Sequence, residues 1–171
     1  KCMKLREEMG DKAGITTALS SIAVIHFSRK NYDKAIEIEL QSLKLKEEMG
    51  DKPGIALSLG NLAVYHQELG QTGKALEMHM RNMKLYEELG QQSGIASTCC
   101  NIGVCLSTQG KYADAMRMFE RGLSLYVELG EKADIAGALL NIGDTHYKQG
   151  KYDLAFDFVS RGLLVAKEIG Y

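Results

Sequence analysis

A forty-residue period constrains this chain more than any other feature. Residues 141–155 read Asn-Ile-Gly-Asp-Thr-His-Tyr-Lys-Gln-Gly-Lys-Tyr-Asp-Leu-Ala, and the pattern recurs without insertion or deletion at residues 101–115, 61–75 and 21–35. A strict repeat of this length marks a stacked array, in which no unit can bury its apolar face except against its neighbours. The spacing of apolar residues within a unit identifies the stacked element. Between residues 55 and 66, Ile55, Leu59, Leu62, Ala63 and His66 advance by four, three, one and three, which traces one face of an amphipathic helix, here helix A. Helix B follows from near Thr72 to Leu89, with Ala75, Leu76, Met78, Met83, Leu85, Tyr86 and Leu89 on its buried faces. The fold class this implies is all-α, an α-α solenoid of helix-turn-helix repeats.

The four full units span residues 11–50, 51–90, 91–130 and 131–171. Residues 1–10 match 41–50 and are expected to be the end of helix B of a preceding unit. Asp11 and Asp51 stand where a side chain can accept hydrogen bonds from the free amides of a new helix. Pro53, the only proline, falls in that first turn, where its missing N–H costs nothing. Gly70, Gly110 and Gly150 suit the left-handed turn after helix A, and Gly50, Gly90, Gly130 and Gly170 the end of helix B. The first unit has Arg29-Lys30-Asn31 after helix A, and Asn31 is expected to take the left-handed conformation there. Gly122 and Gly162 lie mid-helix at a cost of about 1 kcal/mol each relative to alanine, so a neighbouring helix should approach closely. The same holds for Ala23, Ala63, Gly103 and Gly143 on helix A, facing Ala35, Ala75, Ala115 and Ala155 on helix B. The last helix, 152–169, has no polar outer face. Phe156, Phe158, Val159, Leu163, Leu164, Val165 and Ile169 lead to the expectation that more repeats, another domain or a second copy covers it.

Composition narrows the function. A net charge of −1 gives no basic footprint for nucleic acid. No apolar run approaches the ~18 residues needed to cross a bilayer, so no membrane partner is expected. Cys2, Cys99, Cys100 and Cys105 form no Cys-x-x-Cys pair and are expected to be free thiols packed as small apolar fillers, consistent with a cytoplasmic location. His26, His66 and His146 recur in one column on separate helices, without the spacing of a metal site. Together with His79 they are expected to be core residues with a satisfied ring nitrogen. No Gly-rich phosphate loop, nucleophile elbow or Ser/His/Asp arrangement appears, and Glu-Glu pairs such as Glu47-Glu48 and Glu87-Glu88 read as solvated charge. Neither an enzyme, a cofactor nor a metal is expected.

The pattern resembles the tetratricopeptide repeat over essentially the whole chain. Leu139, Ile142, Gly143, His146, Gly150, Tyr152, Ala155 and Val159 carry the likeness in the fourth unit, and Ile102, Gly103, Gly110, Tyr112, Ala115, Phe119 and Gly122 in the third. Histidine or Leu106 stands where the family usually has tyrosine, and the repeat exceeds the common 34 residues. This longer form is similar to the polarity adaptors of the LGN/Pins type and to many bacterial signalling regulators. HEAT and armadillo arrays share the period but lack the Gly-x-Tyr-x-x-Ala turn.

The resemblance implies that helices A line the concave face of a right-handed superhelix and hold a ligand there. Asn61 lies two residues from core Leu59, about 200° around a helix, so it should face that groove. Asn101 and Asn141 repeat the position, with Ser21 as its first member. Val24, Leu57, Val64, Gln67, Val104, Leu140, Asp144, Tyr147 and Lys148 complete the expected lining, flanked by residues such as Phe27, Cys100 and Ser107. A carboxamide offers both a donor and an acceptor and can pair with the backbone of an extended peptide. The expected partner is therefore a protein or peptide segment, extended or helical, held by a scaffold. The alternative is a sensory domain of a larger signalling protein or transcription regulator. Self-association through the apolar ends, 1–10 and 152–169, is a third use.

Overall fold

A computed structural model describes residues 11–170. Residues 1–10, with Cys2 and the expected end of a preceding helix, lie outside the described residues. Among the described residues are eight α-helices: α1 (Lys12–Ser28), α2 (Tyr32–Met49), α3 (Lys52–Glu68), α4 (Thr72–Leu89), α5 (Gln92–Thr108), α6 (Tyr112–Leu129), α7 (Lys132–Lys148) and α8 (Tyr152–Glu168). The odd-numbered helices are the A helices of the sequence reading and the even-numbered ones the B helices.

Local chemistry sets the helix ends. The Asp11 carboxylate accepts from the Gly14 N–H at 2.8 Å, and Asp51 accepts from Gly54 at 3.0 Å. Glycines 50, 70, 90, 110, 130, 150 and 170 all have positive φ. In the first turn, however, it is Lys30 that is left-handed, at φ 60°, while Asn31 sits at −86° and opens α2. Hydrogen-bond register decides this. Lys30 N–H reaches Phe27 O at 2.8 Å and Asn31 N–H reaches His26 O at 2.9 Å, as Gly70 reaches Gln67 O and Gln71 reaches His66 O. The residue two past the end of helix A must be left-handed whatever its type, at a cost of about 1–2 kcal/mol for a lysine.

The chain divides into two compact units, Lys1–Leu85 and Tyr86–Tyr171. In the first, α1 packs on α2 and α2 on α3. Leu19, Ala23, Ala35, Ile38 and Tyr65 form one buried cluster, with Phe27 stacked on Tyr65 at 4.8 Å; Leu43, Leu59 and Leu62 form another. In the second unit α5 packs on α6, α6 on α7 and α7 on α8. Its core gathers Ala96, Cys100, Ala115, Phe119, Tyr126, Ala138 and Ile142. Cys99, Cys100 and Cys105 are buried. Burial pushes the Cys100 thiol up to about 12, which keeps it protonated and poorly nucleophilic.

Helices of a pair meet through small residues. Ala23, Ala35, Ala63, Ala75 and Ala115 are fully buried. A Cβ at Gly103 would fall 2.6 Å from the Phe119 ring, and one at Gly122 would fall 2.7 Å from Cys100 Sγ and 2.9 Å from the Ala96 carbonyl oxygen. On α8, by contrast, Phe156 is 77% exposed, and Leu163 and Leu164 are exposed with it.

The histidines are core residues but not uniformly satisfied. His66 Nδ1 lies 3.0 Å from Gln71 Oε1, whereas His26 Nδ1, His146 Nδ1 and His79 Nε2 are buried without a partner. The residue five positions on explains the column. Gln71 reaches its ring, Asn31 is one methylene shorter, and Lys151 offers only donors. Burial pushes His79 down to about 4.

Two stability measurements follow from this packing. Gly122→Ala should cost roughly 1–3 kcal/mol by overpacking, while Gly137→Ala, whose added Cβ meets nothing within 4 Å, should gain about 0.5–1 kcal/mol; equal effects in urea melts would contradict the close approach. For His79, the unfolded chain takes up a proton near pH 6.5 and the folded one only near 4, so its contribution is complete above pH 6.5 and is lost as pH falls toward 4. Moving from pH 7 to 4.5 should remove about 2–3 kcal/mol that His79→Phe does not lose. Parallel pH profiles for the two proteins would refute the assignment.

Candidate functional site

The structure places the predicted residues of the A helices in different surroundings. In the first unit Ser21, Val24, Leu57 and Asn61, from α1 and α3, share a cavity of about 480 Å³ with Thr17, Ser20, Lys46 and Asp51. Val24, Leu57 and Val64 are exposed, Leu57 by 59%. Gln67 is half-buried and does not line this cavity.

The floor is polar, and sequence reasoning missed it. Lys46 descends from α2 and is only 5% exposed. Its Nζ donates to Ser58 Oγ at 2.8 Å and Ser20 Oγ at 3.1 Å, and stands 3.9 Å from Glu39 Oε1. Ser20 donates to Glu39 at 3.1 Å, and Ser42 donates to the Thr16 carbonyl at 3.1 Å. Glu39 is fully buried, and neither its Oε2 nor the Tyr65 hydroxyl has a partner. Burial lowers the Lys46 pKa, with the charges of Glu39 and then Asp51 opposing the shift. Burial, followed by the charge of Glu39, pushes Tyr65 up to about 12. Nearby, the buried Asn82 keeps an unpartnered Oδ1, and its Nδ2 lies 3.8 Å from where a side chain at Gly60 would begin. Comparison of the repeats could have found the floor. Forty and eighty residues on, Lys46 is replaced by Tyr86 and Tyr126, and Glu39 by His79 and Phe119. These are core columns, so a charge in them should be buried.

In the second unit the same columns are apolar. Leu140, Asp144 and Tyr147 line a cavity of about 490 Å³ with Tyr152, Phe156 and Val159 of α8. Tyr147 is 63% exposed, its ring 5.6 Å from that of Tyr152. Val104 is half-buried against the core cluster, and the flanking residues Cys100 and Ser107 are buried, Ser107 lying 3.0 Å from the Thr145 hydroxyl. Lys148, expected in the groove lining, is ion-paired to Asp144 at 2.6 Å and lines a separate cavity of about 530 Å³ with His146 and Lys151. Asn101 is exposed, and Asn61 and Asn141 are half-buried. Among the described residues, none of these three carboxamides is hydrogen-bonded to another side chain; Ser21 donates to its own helix at the Thr17 carbonyl, 2.9 Å away. Among the described residues no three His, Cys, Asp or Glu side chains gather as a metal-ligand set, and no helix is long and apolar enough to cross a membrane.

A sequence model of the tetratricopeptide repeat matches residues 14–88 and 54–128. No curated protein matches the chain by sequence. Among solved structures, BtubC (BKLC) from P. vanneervenii superposes with a TM-score of 0.80 at 22% identity, covering 99% of this chain and 79% of that one. Aspartyl phosphate phosphatase F from Bacillus subtilis gives 0.81 at 21% identity, covering 91% of this chain but 41% of its own. The Rap conjugation gene regulator of the plasmid pLS20, solved in complex with the Phr* peptide, gives 0.80 at 17% identity, covering 92% and 44%. This chain thus spans less than half the length of the latter two. At these identities the likeness is one of fold.

The buried pair sets a clear expectation for mutagenesis. Lys46→Met alone leaves the Glu39 carboxylate buried without its counter-charge and should cost roughly 3–5 kcal/mol. Glu39→Leu with Lys46→Met removes both charges and should restore most of that loss. Chemical denaturation of the single and double variants checks it, and additive losses would refute the coupling.

Proposed function

This chain belongs to the tetratricopeptide repeat family, and we propose that it binds protein or peptide segments on the A helices of each unit, α1 and α3 in the first and α5 and α7 in the second. One observation carries the reading. Asn61, Asn101 and Asn141 repeat at one position of the A helix, all reach solvent, and none is engaged by another side chain among the described residues. Such a carboxamide is free to pair with a ligand's backbone N–H and C=O. Exposed apolar residues stand on the same helices, Val24, Leu57 and Val64 in the first unit and Leu140 and Tyr147, beside the cavity shared with α8, in the second. They favour a segment with apolar side chains. With Lys148 already paired to Asp144, a strongly acidic tail is a poor candidate. The proposed role is recognition without catalysis, in keeping with the longer-repeat adaptors that the sequence resembles.

A second reading has its own support. The peptide-complexed Rap regulator shares this fold over 92% of the chain, which spans 44% of that regulator. On that reading the chain is the sensory part of a larger signalling protein, and ligand binding changes the stacking of its repeats. Small-angle scattering separates the two, since a scaffold keeps its radius of gyration on binding and a sensor changes it.

The primary test uses peptides selected from a random displayed library. Asn101→Ala with Asn141→Ala should raise their Kd by about tenfold or more, two hydrogen-bonded contacts being lost, and should leave the melting temperature no lower than that of the parent. Unchanged affinity in calorimetric titration would exclude the asparagine contacts.

A further inference from the structure

The cavity of the first unit carries a finer specification than a general affinity for peptides. Lys46 has three N–H donors. Ser58 and Ser20 accept two of them, and Glu39 Oε1, at 3.9 Å, is beyond hydrogen-bonding distance. An oxygen entering the cavity therefore meets a charged donor in its floor. The rim has the opposite character. Thr17 donates its hydroxyl hydrogen to the Ala13 carbonyl at 3.0 Å, and Ser21 donates its own to the Thr17 carbonyl at 2.9 Å. Both hydroxyl oxygens are left as acceptors, and the Asp51 carboxylate lines the same cavity.

A group that fits must accept at the floor and donate at the rim. Net charge narrows it further. A carboxylate would satisfy Lys46 but would meet Glu39 and Asp51, while an ammonium or guanidinium would meet Lys46 itself. An apolar side chain would bury the remaining Lys46 donor without an acceptor, which is costly. A hydroxyl carries both functions on one atom and cannot reach floor and rim together, whereas a carboxamide separates its oxygen from its NH₂ group. Val24 and Leu57 stand beside the opening to receive the aliphatic stem.

Resting on the peptide-binding reading above, we propose that this cavity is a subsite for a carboxamide side chain, the asparagine or glutamine of a bound segment, whose oxygen accepts from Lys46 and whose NH₂ donates to Thr17 or Ser21. It belongs to the first unit alone. In the third and fourth repeats the Ser20 column holds Cys100 and Leu140, which cannot share a lysine's protons in this way.

The experiment pans a random twelve-residue displayed library on the immobilised chain and titrates the selected synthetic peptides. Asparagine or glutamine should be enriched at one position, and alanine there should weaken binding about tenfold. Thr17→Val, an exposed and nearly isosteric change, should weaken the parent peptides several-fold and leave the alanine peptides unaffected, so the two losses do not add. The double variant Glu39→Leu, Lys46→Met, with its fold checked by circular dichroism, should abolish the asparagine or glutamine preference. Enrichment of aspartate, glutamate or apolar residues, or additive losses with Thr17→Val, would overturn the subsite. Binders that respond to Asn101→Ala with Asn141→Ala but show no carboxamide preference would sink the subsite while sparing the peptide-binding reading. A library that yields no binders would sink both.

Discussion

Close crossing of two helices through small side chains is the constraint on which the rest of this structure depends. Ala23 and Ala35 are fully buried in one cluster, and at Gly103 an added carbon would strike the Phe119 ring. Each crossing fixes which face of an A helix is spent on its own partner. Side chains off that face are left over: Val24 and Leu57 are exposed beside the cavity of the first unit, and Leu140 and Tyr147 beside the cavity shared with α8. The candidate site is thus a consequence of packing, since the helices cannot rotate to hide these side chains without driving bulk into the alanine and glycine columns.

The same scaffold carries two kinds of floor. In the second unit the columns beneath the outward face hold Phe119, Tyr126 and Cys100, which pack as an ordinary core. In the first unit they hold Glu39, Lys46 and Ser20, tied by hydrogen bonds of 2.8–3.1 Å to Ser58 and to one another. A buried ion pair is weak support for stability, because removing two charges from water costs several kcal/mol apiece. In the second unit Phe119 and Tyr126 fill the corresponding columns without a charge. The charges in the first unit therefore need a reason other than holding the helices together, and a donor presented to a cavity is such a reason.

Local features were legible in the sequence. The alanine and glycine columns, the aspartate caps and the helix pairs all follow from spacing within one repeat. Two features escaped, each for a physical reason. Asn31 seemed the natural left-handed residue by propensity, yet the hydrogen bonds returning to His26 and Phe27 place that conformation on Lys30. Lys46 lies in the string Lys-Leu-Lys-Glu-Glu, which reads as a solvated surface. Its burial is decided elsewhere, by serines at positions 20 and 58 that are small enough to admit an ammonium and polar enough to bind it. The satisfied ring nitrogen expected along the His26, His66 and His146 column is found at His66 and not at the other two, because the partner lies in the turn and varies from Asn31 to Gln71 to Lys151.

The asparagines pose the complementary question, because nothing in the fold requires them. Asparagine in a helix interior is about 0.6 kcal/mol worse than alanine, since its side chain competes for the backbone in non-helical conformations. A capped end or a buried hydrogen bond normally offsets that cost. Asn61, Asn101 and Asn141 stand mid-helix, far from any cap, and no side-chain partner engages them among the described residues. Alanine at each would stabilise its helix and leave the core untouched. Inheritance by duplication can place one such residue in several repeats, but it does not lower the energetic cost of any. A ligand that uses both halves of the carboxamide recovers the loss at each position, which makes binding the more economical account of why the outward face departs from the best helix former.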